Sequence, residues 1–221
     1  MAPGVCERGG LREDRSLHPA LAEHVRDHVR RIDAIAPPRR EALDQLAAWI
    51  AERRAASEPV RLLFICTHNS RRSHMGQLWA ATAAAYFGVD DVTTFSGGTE
   101  ATAFNPRAVA SLRRAGFVID TSDDGDNPRY EVSYSTSRPA MQAWSKVYDD
   151  AANPSDGFAA VMTCSAADEA CPFVRGADVR IAIPYDDPKA ADGTPAEAAT
   201  YDARSAQIAT EMLYVFSRVS S

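Results

Sequence analysis

The stretch Arg61-Leu-Leu-Phe-Ile-Cys66-Thr-His-Asn-Ser-Arg-Arg72-Ser73 decides the fold. Leu62 to Ile65 is an apolar run too short for a helix, and it reads as a buried strand. From Ser73 onward, Met75, Gln77, Leu78, Ala80, Ala81 and Ala83 to Ala85 are good helix formers. The loop between them joins the carboxyl end of a strand to the amino end of a helix. Free backbone N–H groups converge at such a junction, and the helix dipole there favours negative charge. The amides of Thr67, His68, Asn69, Ser70, Arg71 and Arg72 are therefore candidates for an oxyanion nest. Arg72 adds a planar fork that grips two oxygens at once. A cysteine at a helix N-terminus beside arginine is held as the nucleophilic thiolate, and Ser73 can donate a hydroxyl hydrogen to the Cys66 sulfur. A structural cysteine with a surface arginine nearby is the plainer alternative, but it gives no reason for the strand before, the serine after and the helix beyond.

Working outward, residues 61–66 read as strand, 73–87 as helix, 92–96 as strand and 105–115 as helix. After a polar insertion come helix 139–150, strand 158–163, short helix 165–170, strand 179–183 and helix 195–217. This alternation implies a parallel sheet with helices on both faces and a site beyond the strands' carboxyl ends. Asn105-Pro106 and Thr194-Pro195 have the form of a cap followed by a first-turn proline. In the insertion between Asp120 and Pro139, a polar turn leads into alternating Tyr130, Val132 and Tyr134, which reads as a short strand.

The loop resembles that of the low-molecular-weight protein tyrosine phosphatase superfamily, and in particular its thioredoxin-coupled arsenate reductases. The resemblance runs from about Val60 to the C-terminus. It implies an α/β, three-layer, doubly wound domain on a four-stranded parallel sheet, here carrying an N-terminal helical extension. In that family the loop cysteine attacks phosphorus or arsenic and the arginine holds the oxyanion, roles that map onto Cys66 and Arg72. Ile183-Pro184-Tyr185-Asp186-Asp187-Pro188 resembles the family's general-acid loop, and the acid carried over is Asp187, with Asp186 as its competitor. Cys164 and Cys171 resemble the pair that relays oxidation in the reductases. The relay so implied has Cys66 attack arsenate, Cys164 attack Cys66 as arsenite leaves, and Cys171 carry the disulfide outward. Thioredoxin or a similar thiol is the implied external reductant, and no bound cofactor is implied. The alternative within the same superfamily is a phosphatase that needs only Cys66, Arg72 and Asp187 and passes through a phosphocysteine.

The sequence departs from the reductases' usual C-T-G-N-S-C-R-S at two positions, with His68 for the glycine and Arg71 for the second cysteine. The glycine is usually placed where backbone approaches the anion, so His68 is expected to take up or alter that conformation. Both changes add positive charge at the mouth. For the family's potassium site, Asn69 and Ser96 fit, Gln77 stands where glutamate is common, and the later acidic position is replaced near Arg138. Ser165 reads as the N-cap of the short helix between the two later cysteines. Seven residues of intact helix separate Cα atoms by about 10.5 Å, whereas a disulfide needs roughly 7 Å or less. A 164–171 disulfide is therefore expected to unwind residues 165–171.

Residues 1–16 have no apolar period and are expected to be disordered, with Cys6 an unpaired, non-catalytic thiol. Residues 17–57 read as a helical hairpin: Leu21, Val25, Val29 and Ile32, then a break at Pro37-Pro38, then Leu43, Leu46, Ala47 and Ile50. Its apolar stripes either dock on the catalytic domain, residues 58–221, or pair two subunits as a homodimer. His24 and His28 stand four apart on a face rich in Arg and Asp, which reads as solvated rather than metal-binding. With 221 residues the chain can bury a core without disulfide staples, and a net charge of −6 argues against general nucleic-acid binding. No apolar run approaches the ~20 residues that span a bilayer, and reactive thiols fit the reducing poise of the cytoplasm.

Overall fold

The computed structural model describes residues 17–121, 123–171 and 173–219. The expectations for residues 1–16, including Cys6, lie outside these. The chain enters through two helices, α1 (Pro19–Val29) and α2 (Pro37–Ala55). It continues through β1 (Val60–Cys66), α3 (Arg72–Tyr86), β2 (Val92–Gly98) and α4 (Pro106–Arg114). Three short strands follow: β3 (Val118–Asp120), β4 (Tyr130–Ser133) and β5 (Met141–Ala143). The chain then runs through β6 (Phe158–Met162), α5 (Ser165–Ala170), β7 (Ala177–Ala182) and α6 (Glu197–Val219).

The main sheet has the order β2-β1-β6-β7, and every neighbouring pair is parallel. Successive side chains of a strand point to opposite faces, and the two cores follow that rule. Val60, Leu62 and Phe64 join one apolar cluster and Leu63 and Ile65 the other; Cys66, where the strand ends, departs from the alternation and lies with Leu63 and Ile65. The first cluster is the larger and packs beneath α3, α6 and the N-terminal hairpin; the second lies beside α5 and includes Phe158, Ala160, Met162 and Cys164. Val60 to Cys66 is therefore an unbroken apolar strand apart from Arg61, because both faces are covered.

The hairpin docks on its own chain. Leu21, Val25, Leu43, Leu46 and Ile50 are fully buried in the larger cluster with Met212 and Phe216 of α6. Pro37-Pro38 does not simply break the chain; Pro37 opens α2, where a missing N–H costs nothing. The histidines of α1 are not on a solvated face. His24 stacks on Trp79 of α3 at 5.7 Å between centroids, His28 is 4% exposed, and their Nε2 atoms lie 3.0 Å apart. The Nδ1 of His28 bonds Thr210 Oγ1 on α6 at 2.9 Å.

Residues 139–150 do not form the expected helix. Met141–Ala143 is a strand, with Tyr130 opposite Ala143 and Val132 opposite Met141 in the antiparallel sheet β3-β4-β5. Asn127 completes the pairing from its side chain, donating to Ser145 O at 2.8 Å and accepting Ser145 N–H at 3.1 Å. The chain then bonds to the end of β2, with Gly98 N–H donating to Lys146 O and Tyr148 N–H to Gly98 O, both at 2.9 Å. Inter-strand bonds thus replace the local helical ones that these residues could have made. Smaller shifts are confined to element ends, α6 beginning at Glu197 rather than at Pro195.

Two outcomes follow from the docking. Leu46→Ala empties a fully buried site and is expected to lower the stability of the whole domain by about 2–5 kcal/mol; separate melting of a hairpin and a domain in calorimetry would contradict this. Burial, reinforced by His24, lowers the His28 pKa to about 4, so the fold favours its neutral form. The resulting stability is present above pH 6.5 and is lost as pH falls toward about 4. The drop in unfolding midpoint across that window should be smaller in His28→Gln than in the wild type, and parallel curves would refute the assignment.

Candidate active site

At the carboxyl end of the sheet, Cys66 closes β1 and residues 67–71 turn into α3. The loop is held from outside by its carbonyls. Cys66 O accepts from Thr99 N at 3.1 Å, and Thr67 O accepts from Glu100 N at 2.8 Å. His68 O accepts from Ser145 Oγ at 2.9 Å, and Ser70 O accepts from Asn105 N at 2.9 Å. In a trans peptide the N–H points away from the carbonyl, so the following amides turn toward the inside of the loop, where the sequence placed the oxyanion nest. The left-handed residue is Asn69, with φ 43°, and His68 has no positive φ. Of the two outcomes open at His68, it does not take up a left-handed conformation; Asn69 does, and Asn tolerates that region while its side chain locks it. The Asn69 Oδ1 accepts Lys146 N–H at 2.9 Å, and its Nδ2 donates to Ser73 Oγ at 2.8 Å.

Cys66 is 3% exposed, and its Sγ lies 3.1 Å from Ser73 Oγ. Because Asn69 donates to Ser73, the serine hydroxyl is left to donate toward the sulfur. Arg72 is directed by the acid loop. Its Nη1 donates to Tyr185 O at 2.9 Å and its Nη2 to Asp187 Oδ2 at 2.9 Å. Its Nε is buried without a hydrogen-bond partner among the described residues. Asp187 also accepts Lys189 N–H at 3.1 Å, capping a 3-10 turn at Pro188–Ala191. Asp186 faces solvent and pairs with Arg204 at 3.1 Å, so the structure brings Asp187, and not Asp186, to Arg72.

The two departures in the loop do not act alike. His68 is half exposed and lies 3.6 Å from Glu100. Arg71 is tied down, donating to Tyr201 OH at 2.9 Å and standing 3.8 Å from Asp192. The Tyr201 phenol is pushed up to about 12 by burial and by its hydrogen bond to Asp192. Arg71 thus reinforces the acid-loop side of the site rather than offering a free charge at the mouth.

Sequence reasoning missed His74 and Lys146. His74 is completely buried against Phe104, and its Nδ1 receives Asn69 Nδ2 at 3.1 Å and Ser96 Oγ at 3.3 Å. Burial, with Lys146 nearby, holds its pKa well below the usual value and keeps the ring neutral. Burial likewise draws Lys146 down to about 8, with its Nζ 4.4 Å from the centre of the Trp144 ring. The side chains suggested for potassium do not converge on a cation: Asn69 and Ser96 turn to His74, and Gln77 donates to Thr94 O. Gln77 Oε1 is buried without a hydrogen-bond partner among the described residues, where no group of three or more His, Cys, Asp and Glu could hold a metal ion.

Cys66, Cys164 and Cys171 are all free thiols. Cys164 is 1% exposed in the same apolar cluster as Cys66, and Thr67 Oγ1 lies 3.5 Å from its sulfur. It also serves as N-cap of α5, its Sγ accepting Ala167 N–H at 3.4 Å, which corrects the assignment of that role to Ser165. Cys171 stands past the other end of α5, half-buried, with burial raising its thiol pKa and Arg180 partly opposing. Arg180 pins this helix by donating to Cys171 O and to Asp168.

The four-stranded parallel sheet with its loop and flanking helices resembles solved structures in fold. Among solved structures, the chain resembles a mutant of YwlE from Bacillus subtilis with a TM-score of 0.50 and 15% identity, over 73% of this chain and 99% of that one. A low-molecular-weight protein tyrosine phosphatase from T. tengcongensis aligns with a TM-score of 0.49 and 17% identity, over 72% and 98%. Curated relatives carry the name arsenate reductase. That of Staphylococcus aureus (strain Newman) is 40% identical over 68 residues, which are 30% of this chain and 49% of the relative, so the match spans about half of that relative's length. That of Halalkalibacterium halodurans is 29% identical over 136 residues, 62% of this chain and 79% of the relative. No protein-family model matches the sequence. The resemblance read from the loop therefore holds in both fold and sequence.

Removing the hydroxyl beside the sulfur tests the geometry. Ser73→Ala is expected to slow alkylation of Cys66 at neutral pH by about threefold to tenfold, the worth of one hydrogen bond. Peptide mapping after timed iodoacetamide treatment reads Cys66 separately from the other thiols; an unchanged rate would show that the 3.1 Å contact does not support the thiolate.

Proposed function

We propose that this protein is an arsenate reductase working through a three-thiol relay. The observation that carries the proposal is the placement of three free cysteines: Cys66 under the loop, Cys164 buried in the same cluster, and Cys171 across α5. The Cys66 thiolate attacks arsenic(V) held by the loop amides and Arg72, and a hydroxide leaves as water with a proton from Asp187. The incoming oxyanion competes with Asp187 for the Arg72 fork, which frees the carboxyl to face the departing oxygen. Cys164 then attacks Cys66 Sγ. A disulfide forms, the S–As electron pair passes to arsenic, and arsenite departs. Cys171 attacks Cys164 Sγ, Cys66 leaves as thiolate, and the 164–171 disulfide moves outward.

A thioredoxin-like dithiol is the natural reductant for that last bond. Phe173, 76% exposed just beyond Cys171, gives such a protein an apolar contact. For the bond to close, Arg180 must release the end of α5, which fits the length mismatch between an intact helix and a disulfide. A cytoplasmic location accords with this chemistry, and among the described residues no helix is long and apolar enough to cross a membrane.

The test is arsenate-dependent NADPH oxidation in the presence of thioredoxin and thioredoxin reductase, beside hydrolysis of an aryl phosphate. Cys66→Ser, Cys164→Ser and Cys171→Ser should each abolish the first. If the wild type consumes no NADPH with arsenate while the Cys164→Ser/Cys171→Ser variant still hydrolyses aryl phosphate, the protein is instead a phosphatase acting through phosphocysteine.

A further inference from the structure

The N-terminal hairpin reaches the acid loop through the side chain of Arg39. Arg39, in the first turn of α2, lies with its guanidinium carbon 4.7 Å from the centre of the Tyr185 ring. The guanidinium is fixed in that position by a two-point bond to Glu211 of α6, Nε to Oε1 at 3.0 Å and Nη2 to Oε2 at 2.8 Å. Glu211 is itself 3% exposed and also receives Gln207 Nε2 at 3.1 Å. Tyr185 is 5% exposed, so its ring is clamped between core and cation, and a cation over an aromatic face is attractive. The carbonyl of this same tyrosine accepts Arg72 Nη1, and Asp187, next but one along the chain, accepts Arg72 Nη2. Behind the loop lies a cavity of about 620 Å³ bounded by Arg31, Arg39, Pro184, Tyr185 and Arg204. On that side Arg204 also reaches the loop, donating from Nη2 to Asp186 Oδ2 at 3.1 Å.

We propose that Arg39 is a positioning residue for the active site: held by Glu211, it fixes Tyr185, and through Tyr185 it sets where Arg72 and Asp187 stand. The extension that precedes the catalytic domain then contributes to the site without touching substrate. The functional part of this inference rests on the oxyanion-binding reading of the loop. Its structural part, the coupling of Arg39 to residues 185–187, does not.

Arg39→Met alone leaves Glu211 buried and unpaired, which is expected to destabilise the fold. The informative protein is therefore the full chain carrying Arg39→Met and Glu211→Met, in which an apolar pair replaces the ionic one and the unfolding midpoint is expected to stay near that of the wild type. Two readouts are taken. The first is hydrogen exchange at the amides of Tyr185, Asp186 and Asp187, expected to quicken in the double variant while α3 is unchanged. The second is the concentration of arsenate or phosphate that half-protects Cys66 from iodoacetamide. It is expected to rise by about threefold to thirtyfold, the range over which residues acting through a neighbour move a site. A role confined to stability predicts normal exchange and normal protection once the double variant folds, and that result overturns the inference. If neither anion protects Cys66 in the wild type, the oxyanion reading fails and the exchange measurement alone decides for or against Arg39.

Discussion

At Gly98 a side chain has nowhere to go. A Cβ there would lie 2.3 Å from Glu100 O, 2.6 Å from Asn69 N and 2.7 Å from Thr67 O, all backbone atoms that cannot yield cheaply. This close approach lets residues 99 and 100 bond the carbonyls of Cys66 and Thr67 from outside the loop. Because each peptide is planar, a carbonyl turned outward fixes the next N–H inward. The inward turn of the loop's amides and the direction of α3 depend on this geometry. Gly97 repeats the requirement one residue earlier, where a Cβ would meet Tyr148 Cα at 2.5 Å. The 145–148 segment can therefore lie against β2 and hold Asn69 through the Lys146 N–H.

How much of this was legible in the sequence follows from how local each cause is. The run from Leu62 to Ser73 carries its fold in adjacent residues: an apolar strand with both faces covered, a loop, and a helix of alanines. Asn105 capping α4 was equally readable, since a cap and a first-turn proline act over three residues. The 139–150 segment was not. Its conformation depends on partners at Tyr130, Val132 and Gly98, and no pattern within the segment records those bonds. His74 escaped notice because one histidine inside a helical run reads as part of a helix face; only the arrival of Asn69 and Ser96 makes it an acceptor at the centre of the site. The reading of His24 and His28 as a solvated face failed because α1 packs on Trp79, and that contact comes from tertiary docking rather than from the charges around the histidines. At position 68 the sequence left two outcomes open, and the left-handed residue is Asn69, whose side chain is bonded on both sides.

The acid loop shows the same economy of connection between distant parts. Arg72 is 12% exposed, and a guanidinium so placed needs partners. Two come from one short segment, the Tyr185 carbonyl and the Asp187 carboxylate, so the position of the charge and that of the carboxyl cannot vary separately. An anion that draws the guanidinium toward Cys66 must loosen its hold on Asp187, while the carbonyl bond can persist and keep the fork in plane. Arg71, where the resemblance leads one to expect cysteine, binds Tyr201 and approaches both Asp187 and Asp192. It thereby places a second cation 3.9 Å from the Asp187 carboxylate. A competing anion meets less resistance when the displaced group has another partner within reach. If Asp187 is the acid of the proposed reaction, the departure at position 71 acts on the ease with which it is released, and has no need to touch the substrate.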